Sequence, residues 1–133
     1  MKLKFLIVVF LCCAFSFSQT NEKLTTIETV EILNNNEQEA LYYFQNNWKA
    51  LRIMAVEKGY IDSFELLQTP YSKETPFHIM LVTTYANKAQ YDKREEHFRE
   101  LIKASGELKL MNDKKPTEFR ISVFSISGAK HLE

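Results

Sequence analysis

His78 is the residue whose type and position first suggest chemistry. It lies in Phe77–Ala86 (F-H-I-M-L-V-T-T-Y-A), a largely apolar run that predicts a strand in the middle of a sheet. A neutral imidazole can bind a metal or transfer protons near neutral pH. A lone histidine on a strand is more often hydrogen-bonded within the structure, so a catalytic and a structural interpretation of His78 both remain open.

Other polar residues are predicted to share one sheet face with His78. Strict alternation along a strand places Thr84 on that face, and it places Arg120 and Ser122 there from the last strand. The guanidinium of Arg120 would bind a carboxylate ligand, or it would form an ion pair with a strand glutamate. Glu65 would orient His78 if the strand register brings the two together. The predicted ligand-binding residues are His78, Arg120, Glu65, Thr84 and Ser122.

Several classes of site are excluded by the composition. Three glycines leave no phosphate-binding loop, and the motifs G-x-S-x-G, H-E-x-x-H and C-x-x-C are absent. His97 and Glu100 share a helix face, but they lack the further ligands that a metal site needs. Trp48 lies on an apolar helix stripe and is interpreted as core. The sequence therefore predicts no metal site and no cofactor, and it offers no recognised catalytic motif.

The first eighteen residues are predicted to be a secretory signal peptide. Met1–Lys4 is basic, Phe5–Ala14 is wholly apolar, and Ser16 and Ser18 provide the small residues of a cleavage site. Cleavage before Gln19 would leave residues 19–133 as a single domain with its core at about 24–126. We expect this domain in the periplasm or the extracellular space.

A lipoprotein signal is the alternative interpretation of the same segment. It is disfavoured because the bulky Leu11 precedes Cys12 and the bulky Phe10 lies three residues before Cys13. Both cysteines would leave with the signal peptide, and the mature chain would keep fifteen basic and seventeen acidic residues, a net charge of −2. Without basic clusters or a second long apolar segment, we expect no nucleic-acid partner and no membrane association after cleavage.

The elements that must position these residues follow the order β-α-β-β-α-β. The most organised of them is a long amphipathic helix that begins after Asn36 and ends at Gly59. Strands are predicted at Leu24–Leu33, Tyr60–Gln68, Phe77–Ala86 and Phe119–Ile126, and a second helix begins after Asn87. This order predicts an α+β, ferredoxin-like fold with a four-stranded antiparallel sheet and two helices on one face.

The face opposite the helices is predicted to be an interface. Its residues are too apolar to be left in water and too polar for a dry core. A second copy of the sheet would cover it, so we expect a homodimer with a cavity between the facing sheets. That cavity would take a small, partly apolar molecule.

Three runs, W-K-A-L-R-I-M-A-V-E-K-G-Y-I-D-S-F-E-L-L, F-H-I-M-L-V-T-T-Y and K-K-P-T-E-F-R, carry a resemblance over about residues 24–126. The chain resembles the dimeric α+β barrel superfamily, nearest to small exported bacterial members of unassigned function. It is more distantly similar to antibiotic-biosynthesis monooxygenase-like and stress-responsive barrel domains. The resemblance implies paired sheets that enclose a cavity, and in some members cofactor-free oxygenation or haem chemistry.

Three functional hypotheses follow. The first is an exported homodimer that binds a small ligand between its sheets without a defined reaction. The second is a monooxygenase-like or haem-handling enzyme, in which His78 accepts a proton or ligates haem and Arg120 anchors an anionic substrate. The third is a purely structural or interaction domain. Whether the protein is an enzyme stays open, because fold alone does not choose among these functions.

Overall fold

The computed structural model describes residues 22–133, so the predicted signal peptide and cleavage site lie outside the described residues. In chain order the elements are β1 (Leu24–Ile32), α1 (Glu37–Tyr43), a π-helical turn (Phe44–Trp48), α2 (Lys49–Glu57), β2 (Ser63–Gln68), β3 (Ile79–Tyr85), α3 (Lys88–Asp92), α4 (Arg94–Ser105), α5 (Pro116–Phe119) and β4 (Arg120–Lys130). This is the predicted β-α-β-β-α-β order.

The four strands form one antiparallel sheet in the order β2-β3-β1-β4. Helices pack on one face of this sheet, which confirms the predicted α+β fold class. Within residues 22–133 the sheet is not closed, because its edge strands β2 and β4 do not pair with each other. Pairing with a second sheet into a barrel stays a prediction.

Two apolar clusters join the helices to the sheet. The first contains Val30, Phe44, Trp48, Ile79 and Leu81, and the second contains Ala55, Ile61, Tyr85 and Leu101. Alternate residues of β1 and β3 therefore face the helices, as the period of two along a strand requires. The other face of the sheet, which we call the open face, has no helix against it within the described part of the chain.

The long helix predicted after Asn36 is confirmed as a continuous helical stretch from α1 through α2. Asn36 precedes the helix as predicted, but its side chain makes no capping hydrogen bond. Asn36 donates instead to the carbonyl of Glu118 and accepts from Lys114. Gly59 ends the stretch with φ +70°, the left-handed conformation that glycine adopts without a steric penalty.

β4 is longer and more irregular than the predicted strand Phe119–Ile126. It begins at Arg120 and continues to Lys130, and two register shifts interrupt its pairing with β1. At the first shift Thr29 pairs with Phe124 and Val30 with Ser122, so Val123 is an extra residue on β4. Such a bulge reverses the face on which the residues beyond it lie.

No helix among residues 22–133 is long and apolar enough to cross a membrane.

Candidate functional site

The predicted site residues do not form one site. His78 comes directly before β3, and Thr84 lies near the other end of that strand, six residues or roughly 20 Å away. Glu65 pairs with Val82 rather than lying opposite His78, so the expected contact between Glu65 and His78 is wrong. The structure brings the predicted residues other than His78 together in two pairs, Glu65 with Thr84 on the open face and Arg120 with Ser122 on the helix side of the sheet.

His78 has a structural hydrogen bond. Its Nδ1 accepts from the backbone N–H of Ile32 at 2.9 Å, where β1 ends, so this nitrogen carries no proton. The ring also stacks on Tyr71 with the two centroids 4.7 Å apart. His78 therefore has a structural role at the end of the sheet, which agrees with the structural interpretation of this residue.

A haem does not fit around His78. The pocket beside the imidazole has a volume of about 190 Å³ and is lined by Ile32, Asn35, Glu37 and the histidine itself. Two of the three other lining residues are polar, and the volume is below the roughly 300–1,000 Å³ of pockets for drug-sized ligands, which are smaller than a haem. Within residues 22–133 no group of three or more His, Cys, Asp and Glu side chains could hold a metal ion.

Arg120 and Ser122 lie on the helix side of the sheet, so the expectation that they face away from the helices is wrong. The extra residue Val123 reverses this part of β4, and Ser122 and Arg120 pair with the helix-facing Val30 and Ile32. Phe124 and Ile126, beyond the bulge, lie on the open face as expected. Arg120 forms no ion pair with a carboxylate in the described structure, which removes the ion-pair interpretation as well.

Arg120 instead borders a cavity between the helices and the sheet, which we call the helix-side cleft. Its volume is about 230 Å³. Its apolar wall consists of Val30, Tyr43, Phe44, Trp48, Leu51, Leu81, Ile102 and Leu108, and its polar wall includes Glu28, Arg52, Arg120 and Ser122. Aromatic and aliphatic walls with a few convergent polar groups are typical of small-molecule sites.

Two buried hydrogen-bond donors on the wall of this cleft have no partner among the described residues. They are the indole Nε1 of Trp48 and the Nε of Arg120. The Nη2 of Arg120 lies 3.5 Å from the hydroxyl of Tyr43, a long hydrogen bond. Leaving a buried donor unsatisfied costs about 1–3 kcal/mol, so native structures rarely retain one without reason.

Arg52 adds a second cation to the same cleft. Its guanidinium carbon lies 4.3 Å from the ring centroids of both Trp48 and Phe98, so the charge is held between two aromatic faces. Burial lowers the pKa of Arg52 to about 10, and Tyr85 and Glu28 partly oppose this shift. Arg52 therefore remains a cation at neutral pH and makes the cleft favourable for an anion.

An irregular segment, residues 106–115, lies beside the cleft, and we call it the strap. Asn47, in the π-helical turn, donates to the carbonyl of Lys109 at 2.7 Å and accepts from its N–H at 2.8 Å. At the far end of the strap, Lys114 bonds Asn36 at 2.6 Å and Glu39 at 3.0 Å. Both ends of the strap are therefore attached to the long helix.

A second cavity, the strap chamber, lies under the strap next to the helix-side cleft. Its volume is about 320 Å³, and it shares Asn47, Leu51, Ile102 and Leu108 with the cleft. Its remaining lining includes Ala50 and Met54 of α2. The two cavities therefore lie next to each other, between the long helix, α4 and the strap, and share part of their walls.

A separate polar cluster lies on the open face around Thr84. The hydroxyls of Thr25 and Thr84 are 2.9 Å apart, and the hydroxyl of Thr25 is 2.6 Å from Nε2 of His131. With Glu65 and Lys130 they line a wide groove of about 360 Å³. His131 was missed from the sequence because β4 was predicted to end at Ile126.

Trp48 and Arg52 were also missed as site residues. Trp48 was assigned to the core, and its ring does pack there, but the residue also lines the cleft, and its buried N–H has no partner among the described residues. The available signal was the spacing of Trp48 and Arg52 at i and i+4, which places a cation above an aromatic ring on a helix.

Comparisons with known proteins support the fold and no further assignment. No protein-family model matches the sequence, and no curated protein matches it significantly. The chain is similar to the crystal structure of HapK from Hahella chejuensis, with a TM-score of 0.50 and 15% sequence identity. The match covers 84% of this chain and 94% of HapK. At this identity the likeness shows a shared fold alone.

Proposed function

We propose that this protein binds a small anionic molecule with an apolar body in the helix-side cleft. The observation that carries the proposal is the pair of unpartnered donors, Trp48 Nε1 and Arg120 Nε, on an otherwise largely apolar wall. A bound carboxylate would accept from both donors through charge-assisted hydrogen bonds. The aromatic and aliphatic side chains would cover the rest of the molecule.

The charges of the cleft favour this choice of ligand. Arg52 and Arg120 are both cations, whereas Glu28 is the one carboxylate on the wall. An anion would therefore enter a site with a net positive charge, in surroundings where electrostatic attraction is stronger than in water. A cationic ligand would meet two like charges.

Trp48 allows a direct binding assay, because it is the only tryptophan of the chain and its ring lines the cleft. We expect octanoate to change the emission of Trp48, and octanol, which lacks the charge, to bind much more weakly. Replacing Arg120→Gln should weaken octanoate binding about ten- to hundredfold, the worth of a hydrogen bond to a charged group.

Arg99→Gln is the matched control, since Arg99 is an exposed arginine of α4 that does not line the cleft. It should leave the Kd of octanoate unchanged. Equal binding of octanoate and octanol, or equal effects of the two arginine substitutions, would show that the cleft is not an anion site.

Homodimerisation through the open face is part of the same proposal. Ile121, Phe124 and Ile126 of β4 are each about half exposed there, although they are large and apolar. A twofold axis parallel to the strands would place β2 of one copy over β4 of the other. Each copy would then cover the exposed apolar residues on β4 of the other.

The native mass of the protein tests this pairing. We expect a dimer at micromolar concentration, and we expect Phe124→Glu to convert it to a monomer. Ile53→Glu is the matched control, because Ile53 on α2 and Phe124 are both 44% exposed. A wild-type monomer, or a dimer unaffected by Phe124→Glu, would exclude the open face as the interface.

Export before Gln19 remains a proposal that rests on the signal-peptide pattern. Sequencing the N-terminus of the protein recovered from its native compartment tests it, and an intact Met1 would refute it.

The enzyme hypothesis receives less support. His78 does not line the cleft that Arg120 borders, so the two residues cannot act on one small substrate there.

A further inference from the structure

We infer that the ligand of the helix-side cleft is a single-chain amphiphile, an unbranched carboxylate whose tail enters the strap chamber. This inference rests on the proposed function, because the cleft supplies the site for the carboxylate. It adds the length and shape of the molecule. The charged end lies by Arg120 and Trp48, and the hydrocarbon chain passes under the strap.

The sizes of the two cavities favour a ligand that occupies both. The cleft, at about 230 Å³, is smaller than the roughly 300–1,000 Å³ of typical ligand pockets. The strap chamber, at about 320 Å³, lies at the lower limit of that range. Because the two cavities share part of their walls, an elongated acid would reach both of them. A compact acid would fill the cleft alone and leave the chamber empty.

The lining of the strap chamber matches a hydrocarbon chain. Leu51 and Met54 come from α2, Ile102 from α4 and Leu108 from the strap. Ile102 and Leu108 are 55% and 57% exposed, so a ligand would bury apolar surface that now faces water. Ser105 and Glu107 are exposed and form the polar margin of the chamber, which a tail would not need to contact.

Asn47 holds the strap above the hydrocarbon chain of the ligand and does not contact its carboxylate. Its amide nitrogen already donates to the carbonyls of Tyr43 and Lys109, and its amide oxygen accepts from the N–H of Lys109. These bonds use both amide hydrogens. The side chain therefore ties the long helix to the strap that covers the chamber.

A series of unbranched acids tests the inference. The Kd values of butanoate, hexanoate, octanoate and decanoate are measured through Trp48 emission, below the micelle concentration of each acid. We expect Kd to fall about fourfold for each methylene that enters the chamber, and then to level off when the chamber is full.

Two substitutions in the chamber change its length in opposite directions. Ala50→Phe fills it and should weaken decanoate about tenfold while leaving butanoate within about twofold. Met54→Ala enlarges it and should move the plateau to longer acids. Ile53→Phe adds the same side chain outside both cavities and should change neither Kd.

The outcomes separate the two proposals. If benzoate and butanoate bind as tightly as decanoate, the cleft binds anions but the inference about the tail is wrong. The inference is also wrong if affinity rises with chain length equally in wild type and Ala50→Phe, because that pattern indicates non-specific partitioning. If no acid changes Trp48 emission, or if decanol binds as tightly as decanoate, the proposed function itself fails.

Discussion

Replacing His78→Ala tests whether this histidine holds the end of the sheet. The substitution removes the acceptor of the Ile32 N–H, a hydrogen bond of 2.9 Å, and it removes the ring that stacks on Tyr71. A donor left without a partner costs about 1–3 kcal/mol when buried. Because His78 is only partly buried, we expect the lower part of that range, about 1–2 kcal/mol.

The assay is thermal and urea unfolding of the mature protein. A loss of 1–2 kcal/mol should lower Tm by about 4–8 °C in a domain of this size. His78→Asn is the matched variant, since the amide oxygen of asparagine can take the place of Nδ1 as acceptor while the ring is lost. It should recover part of the difference. If His78→Ala is as stable as wild type, or if the alanine and asparagine variants are equal, the hydrogen bond does not stabilise the sheet.

Other predictions concern the cleft, the second register shift of β4 and the strap. Arg52→Met should weaken octanoate binding about tenfold in the Trp48 assay and change the unfolding free energy by less than about 1 kcal/mol, because a buried cation offsets its aromatic contacts by its desolvation cost. Gly128→Ala should destabilise by about 1 kcal/mol in urea unfolding, because φ is +73° and the new Cβ would lie 3.2 Å from the hydroxyl oxygen of Tyr91. Glu39→Gln tests the attachment of the strap. A backbone hydrogen bond and, to a smaller extent, a side-chain hydrogen bond from Lys114 lower the pKa of Glu39 below its usual 4.5. The glutamine variant should therefore be less stable than wild type by the full amount above pH 4.5, and this difference should vanish as pH falls further. An unchanged difference across that pH range would contradict this reasoning.

Periodicity and turn chemistry were sufficient to predict the order and most of the extent of the main elements. The apolar stripe of the long helix gave its length, and Gly59 ended it at the predicted residue. Asn87 caps the second helical stretch by accepting from the N–H of Gln90, as its position in the sequence indicated. These features depend on interactions between residues close in the chain, which a single sequence contains.

The site could not be predicted in the same way, because it depends on an irregularity in strand pairing. Alternation alone placed Arg120 and Ser122 on the open face, and one extra residue, Val123, placed them on the helix side. Nothing in the run R-I-S-V-F-S-I distinguishes a bulge at Val123 from a regular strand. Gly128 was a sequence signal of the second register shift, but it lies beyond Ile126, where β4 was predicted to end.

Two independent irregularities meet at the helix-side cleft, which supports the proposal that the cleft binds a ligand. The bulge on β4 brings Arg120 to the wall, and the π-helical turn ends at Trp48 and contains Asn47. Bulges and π turns both interrupt regular hydrogen bonding, and both are found disproportionately at functional sites. Here the bulge and the π-helical turn both lie at the wall of the cleft. A sequence selected for stability alone would have no reason to keep the unpartnered donors of Trp48 and Arg120 beside the desolvated cation of Arg52.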